Sequence, residues 1–505
     1  MKEYKGIISV LLCVIMVVAA IRVGLGPEPD AVVDTHEYND SIVVWYTDDT
    51  MTDYLNAMAV EYHENGGMRV LPRLHSSNDY VEAVYKASIE DDGAPDLYIV
   101  SNDALEKAYL SGCAVAVDEE WNVLNPDNFP GAALNAVTYK GHRVAYPYYF
   151  ETSVLLYNKT YLHDMILGKL KSEAEAESSE GSSDEGENAE GEEEDSANNG
   201  AELEKLTREK METSIPKTFD ELLAFADEYD APENVEGIFK WDVRDVFFNY
   251  FFIGNYINVG GECGDDSESV DVYNQDAIKA LTLFQRLNSF FAFESSDVTY
   301  DQVVQEFIEG KLVFATATSD IVSRLDAASE AGEFEYEYGL AMIPDLSDEM
   351  DTRSLSVTEA VVVNGYSKKM AEAENFAKFL TFEKADGLYD KTGKLPSARV
   401  TLSENEELIP KLKAFTDEYS YSRPMPKLMT TANYWLLLED AFSRVWSGKD
   451  ASKTLKELAE KLHVQITGQT VSFDYITLPA ETEEEEYLDE EALKQAAQDD
   501  EKSEQ

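Results

Sequence analysis

A chain of 505 residues that is 44% hydrophobic and 11% aromatic can bury large cores, so it is globular and long enough for about three domains or two large lobes. Its formal charge of −59 excludes binding nucleic acid through phosphates, which needs clustered Lys and Arg. Much of that charge is local: residues 172–204 hold 14 acids and no base, and residues 481–505 hold 12 acids and 2 bases. Both segments are too polar to bury a core and are expected to be disordered or loosely helical solvated spacers. Neither has the spaced Asp/Asn ligands and glycine of a calcium loop.

The N-terminus has the pattern of an export signal over residues 1–26. Lys2 and Lys5 precede an apolar run over 6–21, and Val18-Ala19-Ala20 offers a small-residue cleavage site. A retained membrane anchor, with Arg22 snorkelling at its far boundary, is the alternative. Cys13 follows Leu11-Leu12 in mid-run with no small residue before it, which argues against lipidation. Both readings place the chain outside the cytoplasmic membrane.

After a polar lead-in, 41–46 (SIVVWY) is β-branched and aromatic, hence a strand closed by Thr47-Asp48-Asp49-Thr50. Residues 53–64 have helical periodicity and end at Asn65-Gly66-Gly67. A strand over 69–74, a helix over 80–90, a strand over 96–100 and a helix over 103–110 follow. This alternation predicts a mostly parallel sheet covered on both faces.

The stretch GHRVAYPYYFETSVLLYNKTY at 141–161 organises the rest. A strand opened at Arg143 is expected to end at Pro147, which has no N–H for a ladder. Tyr146, Tyr148, Tyr149, Phe150 and Tyr157 surround Glu151, and a second strand runs over 153–157. A strand broken by proline, bearing an aromatic and carboxylate face and then resuming, suggests a crossing between two lobes. The alternative is a buried edge strand whose aromatics are core.

This stretch resembles the hinge segment of bacterial extracellular solute-binding proteins of the maltose-binding type, the receptors of sugar-importing ABC transporters. The shared pattern is Gly-Lys-x-Tyr-x-x-Pro, variable residues with an acid, then Leu-x-Tyr-Asn-Lys. Further blocks match in order: GAPDLYIVSNDALEKAYLSGCAVAVDE, Pro216-Lys217-Thr218-Phe219-Asp220-Glu221-Leu222 with Thr218 and Glu221 placed as a capping box, the strand from Gly310, the GLAMIP strand, VVVNGYSK, and Thr392-Gly393-Lys394-Leu395-Pro396. The helix from Tyr434-Trp435 through Val445 completes them.

The resemblance implies an α/β, two-lobe, type II periplasmic-binding-protein fold with three interlobe crossings and a cleft between the lobes. Lobe one would comprise 37–149 and 351–391, and lobe two 150–350 and 392–475, with the acidic segment inserted into a family loop. Cys113 and Cys263 would then lie on different lobes and not pair. No CxxC or Cys/His cluster occurs and the six histidines are scattered, so no metal and no cofactor are expected.

Sugars present hydroxyls in a plane with apolar C–H faces, so their sites need flat aromatics and fixed carboxylates or amides. By resemblance, Glu151 stands where maltose-type receptors hold a ligand hydroxyl, Asp103 where they place an acid after the third strand, and Trp435 where an aromatic stacks on sugar. Asp49 lies past the first strand, at the edge where ligands bind in such sheets. Tyr148, Phe247 and Tyr256 are further candidates, equally expected in a core. Val100 stands where a maltose-type receptor has a stacking tryptophan, and Leu436 and Glu439 also depart from its pattern, so the expectation is an oligosaccharide and not maltose specifically.

The expected partners are a carbohydrate ligand and the permease subunits of an ABC transporter, the chain itself being a monomer. An enzyme is the main rival class. A glycosidase needs two positioned carboxylates, but among 100 acids two near a cleft signify little. No Gly-x-Ser-x-Gly elbow, phosphate loop or His-Glu-x-x-His helix occurs. A surface-tethered sensor or adhesin without transport is the third reading.

Overall fold

The computed structural model describes residues 40–479 apart from 78, 91–92, 118–122, 182–191, 292–297 and 432. The predicted export signal and the acidic C-terminal tail lie outside the described residues.

Strand β1 (Ser41–Tyr46) is buried along its whole length because both of its faces are covered. Ile42, Val44 and Tyr46 enter one core, while Val43 and Trp45 enter another across the sheet, as the two-residue period of a strand requires. β1 pairs in parallel with β2 (Arg69–Leu74) and β3 (Leu97–Ser101). A two-stranded ribbon, β4 (Thr138–Tyr139) with β5 (His142–Arg143), precedes β6 (Tyr146–Thr152), which joins this sheet before the chain passes through Ser153 alone into β7 (Val154–Asn158).

β7 belongs to a second sheet with β8 (Gly237–Lys240), β11 (Leu312–Ala317) and β12 (Tyr338–Ala341), in the order β12-β7-β11-β8. A separate ribbon pairs β9 (Asn258–Gly260) with β10 (Asp266–Asp271). The chain returns through β13 (Leu355–Val363), which lies between β3 and β6 and runs antiparallel to both. β14 (Leu395–Pro396) then edges β6, and β15 (Arg423–Pro424) pairs with the start of β13. The first sheet therefore reads β14-β6-β13-β3-β1-β2 and is mixed, where alternation alone predicted a mostly parallel one.

Pro147 does not end a strand; it lies inside β6. Pro147 faces Ala360 and Tyr149 faces Glu359, so Tyr148 is an extra residue at a bulge. Proline is tolerated at such an interruption, where the ladder is already broken.

The second sheet rests on an aromatic core in which Trp241 packs against Phe239, Phe252, Phe284 and Trp446 with ring centroids 5.0–6.3 Å away. The acidic insertion is more ordered at its ends than a spacer. Helix Lys159–Gly181 and helix Glu192–Thr213 lie side by side, His163 meeting Glu204 at 3.1 Å. Among the described residues no helix is long and apolar enough to cross a membrane.

Candidate functional site

Short turns follow β1 and β3 and carry the acidic candidates of the first sheet. After β1, Asp48 caps the single turn Asp49–Met51, its Oδ1 accepting from Thr50 N–H at 3.0 Å and Thr50 Oγ1 at 2.6 Å. Its Oδ2 pairs with Lys394 Nζ at 2.9 Å. Burial pushes the Asp48 carboxyl up, but the bonds from Thr50 and Lys394 outweigh it and hold the group below its ordinary value. Lys394, from the segment leading into β14, also stands 5.6 Å from the ring centre of Tyr149.

After β3, the turn Asn102–Ala104 carries Asp103. Its neighbour Asn102 is fully buried: Nδ2 donates to Met425 O at 2.8 Å and Oδ1 accepts from Thr358 N–H at 3.1 Å. One side chain thus ties β3, β13 and the segment before helix Tyr434–Trp446.

Glu359 sits on β13 opposite both Ser101 and Tyr149. Burial, reinforced by the like charges of Asp103 and Asp48 and only partly opposed by Lys394, pushes its carboxyl up to about 7. Glu151 reaches the second sheet: Oε1 accepts from Ser319 N–H at 3.0 Å and Thr152 N–H at 3.2 Å, and Oε2 from Ser319 Oγ at 2.7 Å. Burial raises this carboxyl to about 7 as well, against those hydrogen bonds and helped by Asp320. Beyond Ser319, Asp320 accepts from Tyr300 Oη at 2.7 Å and Thr318 Oγ1 at 2.6 Å.

The candidates from sequence fall into three groups. Glu151 is the next-to-last residue of β6, and Asp103 lies in the turn that follows β3. Asp49 is exposed in its turn, and it is Asp48, one residue earlier, that meets Lys394. Tyr148 is a correction: as the bulge residue it is fully buried in the core beneath the first sheet, 5.2 Å from Tyr149, and has no free face to offer. The others belong to the second lobe. Trp435, in the first turn of helix Tyr434–Trp446, is half-buried at 6.2 Å from Tyr250. Phe247 is half-buried beside Phe248. The Tyr256 hydroxyl donates to Asp351 O at 2.8 Å. Sequence reasoning missed Asp48, Lys394, Ser319 and Glu359; the one signal for Glu359 was a carboxylate in the strand LSVTEAVVV.

Two further features lie nearby. A cavity of about 830 Å³ opens between Pro216, Pro344, Arg353 and Tyr421, and none of the candidates lines it. A second set of long-range bonds joins Lys140 Nζ to Asp265 O at 2.6 Å and Lys427 Nζ to Asn135 O at 3.0 Å and to Cys263 O. Cys113 and Cys263 are free thiols.

A family model of bacterial extracellular solute-binding proteins matches residues 57–416. The chain belongs to this family. Among its relatives, the maltodextrin-binding protein MdxE of Bacillus subtilis (strain 168) is 23% identical over 255 residues, 48% of this chain and 59% of that protein. A galactooligosaccharide-binding protein of the same organism is 24% identical over 270 residues, 50% and 61% respectively. The chain thus spans about six-tenths of the length of these two relatives.

Solved structures agree on the two-lobe fold. The extracellular solute-binding protein of Staphylococcus aureus in complex with maltose superposes with a TM-score of 0.66 at 19% identity, covering 85% of this chain and 98% of that one. A cyclo/maltodextrin-binding protein complexed with maltotetraose gives 0.64 at 18% identity, covering 86% and 98%. The α/β architecture expected of the family is the one observed.

Proposed function

We propose that this solute-binding protein is an exported receptor that captures an oligosaccharide between its lobes and hands it to the permease of an ABC importer, without chemistry on the ligand. The observation that carries this reading is Glu151. It stands near the end of β6 in the first sheet, where the chain passes through Ser153 into β7 of the second, and it bonds Ser319 just after β11. A ligand touching Glu151 and the floor residues Asp48, Asp103 and Glu359 on one side, and Trp435 on the other, would bridge the lobes and shift the hinge toward closure. Maltodextrin and galactooligosaccharide binding by the two curated relatives supports a sugar. Lobe boundaries near 149/150, 350/351 and 391/392 belong to the same proposal, as does export through the N-terminal segment.

The test is a thermal-shift and calorimetric screen of the mature protein against maltodextrins, galactooligosaccharides and monosaccharides. A ligand at 100 times its Kd stabilises the native state by about 2.7 kcal/mol, a rise of a few degrees. No shift with any saccharide refutes the reading, and hydrolysis of a bound oligosaccharide replaces it with an enzyme.

A further inference from the structure

The turn that carries Asp103 is tied on both sides to a segment from far along the chain. Asn102, just before Asp103, donates from Nδ2 to Met425 O at 2.8 Å. Glu106, on helix Leu105–Leu110, is only 9% exposed, and its Oε2 accepts from the Met429 N–H. Its Oε1 accepts from Tyr139 Oη at 3.1 Å, and among the described residues no lysine or arginine pairs with it. Enclosing a carboxylate without a cation is costly, but a charged acceptor makes bonds about twice as strong as a neutral one. The Met429 amide is thus held by a stronger acceptor than a main-chain carbonyl. Between these two pins the segment is bonded to both sheets' surroundings: Met425 N–H donates to Ser356 O on β13 at 3.2 Å, and Lys427 N–H to Gly264 O in the β9–β10 turn at 2.7 Å. Trp435 follows six positions after Met429, on a helix whose Tyr434, Leu438 and Phe442 are buried in the core of the second sheet. Leu105, Ala108 and Tyr139 belong instead to a core of the first sheet. Asn102 and Glu106 therefore fix the approach to the Trp435 helix relative to the Asp103 turn, although the two rest on different cores.

We propose that Glu106, together with Asn102, is a positioning residue for capture, setting the Trp435 ring against Asp103 so that one oligosaccharide reaches both. This rests on the reading of Asp103 and Trp435 as ligand contacts and deepens it. Neither Glu106 nor Asn102 touches the ligand; both act through residues 425–429. Without these pins the ring shifts freely relative to Asp103, and ordering it again on binding costs affinity. The same pins favour chains of sugars, because only a ligand long enough to meet acid and ring together feels the spacing between them.

The experiment is a double-mutant cycle by calorimetry with maltotriose on wild type, Glu106→Ala, Trp435→Ala and the double variant, with hydrogen exchange of the ligand-free proteins beside it. Glu106→Ala is expected to open the Met429 amide to exchange. It is also expected to weaken maltotriose binding about tenfold, an effect that falls to about twofold or less once Trp435 is alanine. Glu106→Gln should rescue both readouts, since its amide oxygen accepts from Met429 N–H and its NH₂ donates to Tyr139 Oη. Should Glu106→Ala not fold, Asn102→Asp takes its place in the cycle, keeping the acceptor for Thr358 N–H and losing the donor to Met425 O. A purely structural role lowers Tm without coupling to Trp435. Additive losses, or an affinity that the variant leaves unchanged, therefore overturn the inference and leave the receptor reading standing. Wild type that ignores maltotriose but binds another saccharide overturns the inference alone, and a blank saccharide screen overturns both.

Discussion

Glu359 is held in the folded chain at a pKa of about 7 against an ordinary value of 4.5. The folded state therefore binds its proton more tightly than the unfolded one, so this group weakens the fold as pH rises from about 4.5 through 7 and does so fully above that. Each tenfold difference in proton affinity between the two states is worth about 1.4 kcal/mol, and solvent at the cleft reduces the total to about 1–3 kcal/mol. Glu359→Gln keeps the shape and removes the charge. The variant should melt higher than wild type at pH 8 and together with it at pH 4, and a difference in Tm independent of pH would show that the carboxyl is not the cause.

Glu151 behaves differently because three donors already surround it. Glu151→Ala should weaken ligand binding by about 1–3 kcal/mol if the carboxylate also holds a ligand hydroxyl. Ser319→Ala should do part of the same by leaving the carboxylate less fixed. Calorimetric affinities unchanged in both variants would remove this pair from the site. The candidate site was legible in part for a matching reason. Glu151 and Asp103 lie in local patterns, while the placement of Glu359 depends on β13 lodging between β3 and β6, strands more than 200 residues away in sequence. Asp48 and Asp49 are a neighbouring pair, and only the capping bond to Thr50 decides which one turns toward Lys394.

At the scale of elements, β1 and β2 fall on their expected boundaries, because β-branched runs ended by turn residues carry their own signal. The Thr218 cap, accepting from Glu221 N–H at 3.1 Å, was equally readable. What sequence could not give is the bulge at Tyr148, since a bulge is defined by the partner strand. The acidic insertion was half legible. Its composition indicates solvation, but the apolar residues that anchor its helices lie outside or at the margin of the charged run: Leu170 and Met211 are buried in the second-lobe core, with Leu203 packed against it. Deleting 172–204 should therefore leave sugar affinity unchanged, because the segment carries none of the candidate site residues, yet lower Tm by a few degrees through the lost Leu203 contact. Loss of binding in a folded deletion variant would give the insertion a role in capture.

At the scale of the whole molecule, the proposed hinge has to open against bonds that join the two expected lobes without any ligand. Lys427 is the clearest of these, a lysine only 1% exposed whose ammonium links Asn135 to Cys263, residues of different expected lobes. Burial pulls its pKa down to about 8 from an ordinary 10.5, so the folded state binds this proton less tightly and the cost of the buried charge disappears as pH rises from 8 through 10.5. The cost is offset in part because one ammonium bonds two carbonyls that belong to different segments and so fixes their geometry. Lys427→Met fills about the same volume and removes the donor that both carbonyls share. It should destabilise the protein by about 1–3 kcal/mol, and small-angle scattering of the ligand-free variant should give a larger radius of gyration than wild type, with the two converging at saturating ligand. A radius identical to wild type in the ligand-free state would mean that the lobes are held by the strands of the hinge alone, and that closure is driven entirely by what the ligand touches.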